Sequence, residues 1–498
     1  MKTAPASAAS STAGRAAAGK PGTDTPNIGA EERRKWWVNA WKPSVREDAY
    51  RITDIEGRIP RELHGTLYRN GPSQKILPKE GYEALHLFDG DGLVHAFRFD
   101  DGRVDYTGKF VRNESFLAEQ REGRFCLTSV GVAVDDPITD VPVRQQHNTN
   151  VVWHGGKLLA MVENAYPFEI DPRTLDPIGT CDFGGHVLGM STSAHPKIDG
   201  RTGQMLIHGY QPFAPFIQWY TIEPDGSCSL AEALDAPYPA MLHDFAITEN
   251  YVVFPLCPVV MDAELLMSGR PFADAIRWSP ELGMKLGVKR RAVGAPVQWL
   301  DVPTDGYVFH PGNAYEDGDR IVLDACTYLD PEALLKSLRT WRRGDLKAGS
   351  HAVPFLYDID LARGRVCERQ LDDRGCEFPR IDERLVGYRN RYGYALRSPA
   401  PKAATLTSVV RYDRTGGPSS VWNFGDGWSP SEPVFVPRAA GAAEDDGFVL
   451  CTAYDGPGDA SWVVVFDARE ISNGPLARAR LQHRIPNGFH GNFAAGVI

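Results

Sequence analysis

No uncharged apolar run in these 498 residues approaches 18, so no helix is expected to cross a bilayer. Strong basic clusters are missing as well. The net charge is -10, and short runs such as Lys289-Arg290-Arg291 and Arg342-Arg343 read as solvated surface, which argues against a nucleic-acid partner. The eight cysteines are scattered without a CxxC pair; that pattern fits a reduced, cytoplasmic protein rather than a disulfide scaffold. There is no phosphate-cradling loop: "FDGDGLVHAF" has glycines without the G-x-G-x-x-G spacing, and they suit a hairpin turn. No Ser-His-Asp arrangement suggests itself. Residues 1–30, rich in Ala, Ser, Gly and Thr but without an apolar signal core, read as a disordered tail.

What is present is hairpin grammar. From about residue 50, short β-branched and aromatic runs such as "GTLYRNGP", "NVVWHGGKLLAMVE" and "SWVVVFDARE" alternate with Gly, Pro, Asp and Asn. Helix is expected only in a short stretch within 31–47, at about 262–269 and at 330–341. An apolar strand end followed by an acid recurs at Phe99-Asp100, Ile170-Asp171, Ile222-Glu223, Leu300-Asp301, Ile359-Asp360, Tyr412-Asp413 and Phe466-Asp467, at intervals of 52 to 78 residues. Propeller blades of four strands run about 40–50 residues. The expectation is therefore an all-β, seven-bladed β-propeller over 31–498 as a single domain. A strand-acid-turn pattern is also common in other β proteins.

A propeller brings distant residues to one axis, which makes four histidines worth comparing. His195 in "SAHPKID", His243 in "MLHDFAIT", His310 in "VFHPGNAYE" and His490 in "GFHGNF" each sit beside an apolar strand-like run and a turn-forming or small residue. Their spacings, 48, 67 and 180 residues, are compatible with steps of whole blades. His64, His154, His208, His351 and His483 stand in polar turns and read as surface; His86, His95, His147 and His186 fit either reading. Four neutral imidazoles suit Fe(II), Zn(II) or Cu(II) by ligand type. Such ligands need acceptors for their other ring N–H, and Glu163, Glu377 and Glu432 stand in apolar or proline-bounded surroundings where a carboxylate needs a partner. Taken alone, these residues are equally compatible with unrelated, satisfied core positions.

The chain resembles the carotenoid cleavage oxygenases, nearest the bacterial apocarotenoid-cleaving branch, through "GTLYRNGP", "HLFDGDGLVHAFRF", "NTNVV", "SAHPKID", "MLHDFAIT", "FHPGNAYE", "EFPRID", "SEPVFVP" and "GFHGNF", in order from about residue 35 to the C-terminus. The resemblance implies a seven-bladed propeller with loops capping the metal-bearing face. It implies one Fe(II) per chain held by His195, His243, His310 and His490. Glu163, Glu377 and Glu432 would pair with His243, His310 and His490 respectively, leaving His195 without a glutamate. Thr149 matches a residue that projects toward an open coordination position in some members.

The implied reaction inserts both atoms of O2 across an electron-rich C=C of a hydrophobic alkene, giving two carbonyl products. A carotenoid or apocarotenoid is the expected substrate, because phenolate-gripping relatives present a lysine where this chain, aligned through "FVRNESFLAEQ", has Ser115. A stilbene or phenylpropene is the alternative, and a non-catalytic binding propeller a third reading. The segment 257–299, rich in Met, Leu, Phe and Trp, is expected to form a cap that lines an apolar tunnel or touches a membrane surface. The motifs do not fix an oligomeric state.

Overall fold

A computed structural model describes residues 29–141, 143–189, 191–345 and 351–498; the tail expected at 1–30 lies, up to residue 28, outside them. Among the described residues, seven antiparallel sheets of four or more strands and one two-stranded ribbon account for the strands. The first strands of the seven sheets, in blade order, are Gly491–Ala495, Asn150–His154, Lys197–Ile198, Ala246–Ile247, Tyr307–Asp317, Cys376–Arg380 and Val434–Pro437. First strands of neighbouring blades contact one another from blade 7 through blade 1 to blade 2 and from blade 4 through blade 5 to blade 6, as strands that ring a central axis do. This is the expected seven-bladed propeller.

Both chain ends close the ring. The C-terminal strand Gly491–Ala495 pairs with Gly65–Ser73 as the inner strand of blade 1, and Asp54–Gly57 adds to Pro475–Arg480 at the outer edge of blade 7. Alternation of apolar residues then packs blade on blade: Leu67, Phe97 and Phe99 of blade 1 meet Phe448, Val463 and Val465 of blade 7, all essentially unexposed. Burying side chains of this kind contributes roughly 1.5–3 kcal/mol each.

The strand-acid repeat marks a definite place. In six blades the acid ends or follows the third strand, as in Asp91–Asp100 and Ala460–Asp467. In blade 4 it ends the fourth strand, Val297–Asp301, because the cap enters between that blade's second strand, Tyr251–Leu256, and its third, Lys285–Arg290. The expected cap at 257–299 is thus shorter: residues 285–290 and 297–299 are blade strand.

Helices gather on one side. Ala30–Trp41, Ala263–Met267 and Pro331–Thr340 fall within or near the expected stretches. The last is started by Asp330, whose side chain accepts from the Ala333 N–H at 2.9 Å, with proline at the first turn. A fourth helix, Glu114–Glu122, was not anticipated. Asn113 caps its start and Gly123 ends it with a positive φ, but its buried face includes Ser115 and Glu119, so it carries little apolar periodicity. No described helix is long and apolar enough to cross a membrane.

Candidate metal centre

Four inner-strand positions converge on the axis. His195 and His490 immediately precede the inner strands of blades 3 and 1, with only Pro196 intervening for His195; His243 lies just before that of blade 4, and His310 within that of blade 5. Each is at most 9% exposed. One ring nitrogen from each lies within 4.8 Å of those of the other three, and the Nε2 atoms of His243 and His310 are 3.3 Å apart. The close approach at His490 depends on the residue after it: a side chain on Gly491 would collide with the Tyr68 carbonyl oxygen.

The outward nitrogens meet carboxylates. His310 Nδ1 is 2.6 Å from Glu377, His490 Nδ1 is 2.9 Å from Glu432, and His243 Nδ1 is in contact with Glu163. A carboxylate at Nδ1 accepts its proton and leaves the Nε2 lone pair free to face the axis. His195 Nε2 is buried without a hydrogen-bond partner among the described residues, an arrangement that is costly unless something fills it. Converging imidazole lone pairs around one point form a donor set that fits a divalent metal ion.

Electrostatics favour the neutral, ligating form at two of the rings and the protonated form at a third. Burial, reinforced by the neighbouring rings, holds His195 well below the ordinary histidine pKa, and burial pushes His490 down to about 4 despite Glu432. Burial also opposes protonation of His310, but the hydrogen-bonded Glu377 together with Asp244 and Glu432 outweighs it and raises the pKa.

The three glutamates are held differently. Glu432 accepts from Arg69 at 3.0 Å, Arg380 at 3.1 Å and the Gly491 N–H at 3.0 Å; burial raises its pKa, but Arg380, His490 and Arg69 together bring it well below the carboxylate range. Among the described residues Glu163 has no cation beyond the histidines, and it takes its second hydrogen bond from the Tyr210 hydroxyl. Glu377 accepts from the N–H of Phe378 at 2.7 Å.

Phe378 lies at a bulge in the inner strand of blade 6 with φ of 55°, a costly backbone for an aromatic residue, about 1–3 kcal/mol. Its ring stacks on His310 at 5.4 Å.

Sequence reasoning missed Phe378, Arg69, Arg380, Tyr210 and Asp244. Asp244 is the nearest acid to His195, 3.9 Å from Nδ1, too long for a hydrogen bond, and it is tied to Lys197 at 2.8 Å. Burial pushes its carboxyl up, and Lys197 opposes that only in part. Its place beside His243 in "MLHDF" was the available signal.

Two histidines expected at the surface are interior. His208, fully buried in the strand Met205–Tyr210, pairs through Nε2 with the Leu242 carbonyl at 2.7 Å, and His154 pairs with the Gly203 carbonyl at 2.9 Å. A backbone acceptor satisfies each ring, so polar sequence neighbours did not report exposure. Neither joins the axial cluster.

An apolar cavity of about 610 Å³ lies under the helices and reaches His243, His310 and His490. Trp41, Phe88, Phe309, Phe378 and Phe489 line it, with Leu334 and Leu338 from the helix Pro331–Thr340. Thr149 faces it too. Its backbone oxygen accepts from the His490 N–H at 3.2 Å and its hydroxyl donates to Asn148 Oδ1 at 3.2 Å. Ser115, by contrast, is buried in its helix, accepting from the Gln145 N–H at 2.8 Å. It does not line the cavity, so its identity says nothing about substrate. The lining itself does: among the described residues, no lysine or arginine borders this cavity.

A seven-bladed propeller with four buried imidazoles on its axis and an aromatic cavity above them defines a class, the axial-histidine propeller oxygenases. The chain belongs to the RPE65 family (retinal pigment epithelial membrane protein), that of the carotenoid cleavage oxygenases, whose model matches residues 41–495. It is 33% identical over 458 residues to isoeugenol monooxygenase of Pseudomonas nitroreducens, covering 88% of this chain and 93% of that protein. It is 31% identical to apocarotenoid-15,15'-oxygenase of Synechocystis, covering 92% and 96%. Cobalt-substituted Synechocystis ACO superposes with a TM-score of 0.84 at 30% identity over 93% of this chain and 99% of that one. Pseudomonas brassicacearum lignostilbene dioxygenase does so with 0.82 at 31%, over 92% and 98%.

Proposed function

We propose that this oxygenase holds one Fe(II) per chain through His195, His243, His310 and His490 and uses O2 to cleave a C=C bond of a carotenoid or apocarotenoid, giving two carbonyl products. The observation that carries the reading is the placement of four buried imidazoles, with one ring nitrogen of each converging on the axis, against a large apolar cavity. Bound Fe(II) supplies the electron density that O2 needs and that closed-shell side chains cannot offer.

The chain's own residues do the rest. Glu163, Glu377 and Glu432 fix ring orientation and tautomer and offset the charge of the cation. Phe309, Phe378 and Phe489 present flat, water-excluding surfaces along which an extended polyene lies. Thr149, with its hydroxyl engaged by Asn148, offers the cavity its methyl, which narrows the space beside the histidines. No protein acid, base or nucleophile is called on.

A neutral polyene is favoured over an ionised phenol because the cavity has no described cationic lining residue to meet a phenolate. The aryl-alkene reading rests on the 33% identity to an isoeugenol monooxygenase. Protein loaded anaerobically with Fe(II) and given O2 with an apocarotenal, resveratrol or isoeugenol separates them. We expect kcat/KM for the apocarotenal to exceed the others by at least about tenfold, about 1.4 kcal/mol of differential transition-state binding. The reverse order would assign the aryl substrate.

A membrane contact belongs to the same reading. In the cap helix Ala263–Met267, Leu266 lines the cavity while Met267 is 74% and Leu265 37% exposed. Apolar residues at the rim of an apolar cavity suit transfer of a lipid-soluble substrate from a bilayer surface to a cytoplasmic enzyme. Changing both Leu265 and Met267 to Glu is expected to lower co-sedimentation with phosphatidylcholine vesicles at least threefold, as two buried apolar side chains are lost. Activity on detergent-dispersed substrate should persist. Unchanged sedimentation would place the contact elsewhere.

A further inference from the structure

The histidine cluster separates two cavities rather than closing one. On the side opposite the helices, a second cavity of about 530 Å³ runs along the axis of the propeller. His195 borders only this one, His243 only the apolar one, and His310 and His490 border both. We infer that the second cavity is the route by which a divalent cation enters and leaves the four-histidine site. The inference rests on the metal-binding reading above.

The two linings differ in what they can do for an ion. In the apolar cavity the lining carboxylates are Glu114 and, already engaged with His243 and His310, Glu163 and Glu377, and an ion shedding water among Trp41, Phe88 and Phe489 would be poorly compensated there, at a cost of several kcal/mol. The axial cavity carries five carboxylates against four cations along its length, so carboxylates engaged with those cations can turn to a passing ion in sequence. Glu62 and Glu383 stand at its mouth with half their side-chain surface exposed, and Asp382, Asp244 and Glu432 lie deeper, each at most 3% exposed.

The cations of this lining are already neutralised. Lys197 pairs with Asp244, Arg384 with Asp382, Arg380 with Glu383 and Glu432, and Arg438 with Asp446. No unpaired positive charge therefore stands in the way among the described residues. Asp244 and Glu432 bring the row of carboxylates up to the histidines: Asp244 sits 3.9 Å from the His195 ring, whose Nε2 is buried and unpartnered among the described residues, and Glu432 sits 2.9 Å from His490. His195, which borders this cavity alone, would receive the ion from this side.

The test measures exchange, not turnover. Ala440 and Ala495 line the axial cavity at exposed positions, so tryptophan at both narrows its mouth without touching a histidine or its carboxylate. Anaerobic Co(II) uptake is followed by the visible absorption of the bound ion, and release by transfer to excess chelator. For Ala440→Trp/Ala495→Trp, both rates should fall at least fivefold while Kd stays unchanged, since an obstructed route scales entry and exit alike. Leu266→Trp, which obstructs the apolar cavity, should leave both rates unchanged. Wild-type rates in the double variant, or slowing by Leu266→Trp, would overturn the route and leave the metal site standing. Failure of the wild-type chain to bind Co(II) at all would overturn both. A changed Kd in the double variant would mean that the substitutions disturb the site, and the rates of Ala495→Trp alone then decide by the same criterion.

Discussion

His310→Ala is expected to leave the protein with almost no iron after gel filtration. Its metal affinity should fall by more than about a hundredfold, beyond the 10–100-fold typical when only the outer partner of a ligand is lost. Turnover should fall with it. His310 is held on three sides: Nδ1 lies 2.6 Å from Glu377, Nε2 lies 3.3 Å from that of His243, and Phe378 stacks on its face. It also forms part of the partition between the two cavities. Alanine there removes a donor, leaves the buried Glu377 carboxylate without its imidazole, and joins the apolar cavity to the polar one. Metal content by mass spectrometry and turnover of an apocarotenal check the expectation. His208→Ala provides the contrast: an equally buried ring is lost, but one whose partner is the Leu242 carbonyl and which stands outside the cluster. That variant should lose stability and keep its iron. If His310→Ala retained iron and turnover within twofold of wild type, the axial assignment would be wrong.

Much of the fold was legible because propeller strands obey local rules. The acid after an apolar strand end marks the close of the third strand in six blades, where the chain turns tightly at an exposed edge. The pattern slipped only in blade 4, where the cap intrudes and the third strand ends instead at Arg290; Arg291 then reaches across to Asp199 at 2.7 Å. The four histidines and three glutamates were found as residues through motif and resemblance. What the sequence could not supply was how they are held. Arg380 acts across a blade boundary, so nothing in its own neighbourhood points to Glu432, and Asp244, though next to His243 in the chain, approaches His195 only from the neighbouring blade. Ser115 misled for a related reason. A helix that packs by polar contacts, with Glu119 bound to Arg144 at 2.7 Å, hides its periodicity, and the serine faces inward rather than into the cavity. His208 erred in the opposite direction, since one backbone carbonyl is enough to satisfy a buried ring.

The three glutamates that look alike in sequence should part company under the same substitution. Glu432→Gln removes the shared partner of two buried arginines. Arg380 retains Glu383, but Arg69, 2% exposed, keeps only uncharged backbone acceptors, the carbonyls of Phe489 at 3.0 Å and of residue 432 at 3.5 Å. Leaving a buried charge uncompensated costs about 3–5 kcal/mol, so the metal-free protein should unfold at a markedly lower urea concentration. Glu163→Gln removes a carboxylate whose neighbours are the Tyr210 hydroxyl and the His243 ring, so no arginine or lysine is stranded. Its stability should stay within about 1 kcal/mol of wild type, the net worth of an ordinary hydrogen bond. Its metal affinity should fall by about 10–100-fold through His243. Adding Arg69→Met to Glu432→Gln removes the stranded charge, and a neutral replacement of a buried pair is often no worse than the pair itself. The double variant should therefore recover at least about half of the lost stability, a coupling that only residues in contact display. Equal urea midpoints for Glu432→Gln and Glu163→Gln, or no recovery in the double variant, would show that Arg69 finds its compensation elsewhere and that Glu432 serves His490 alone.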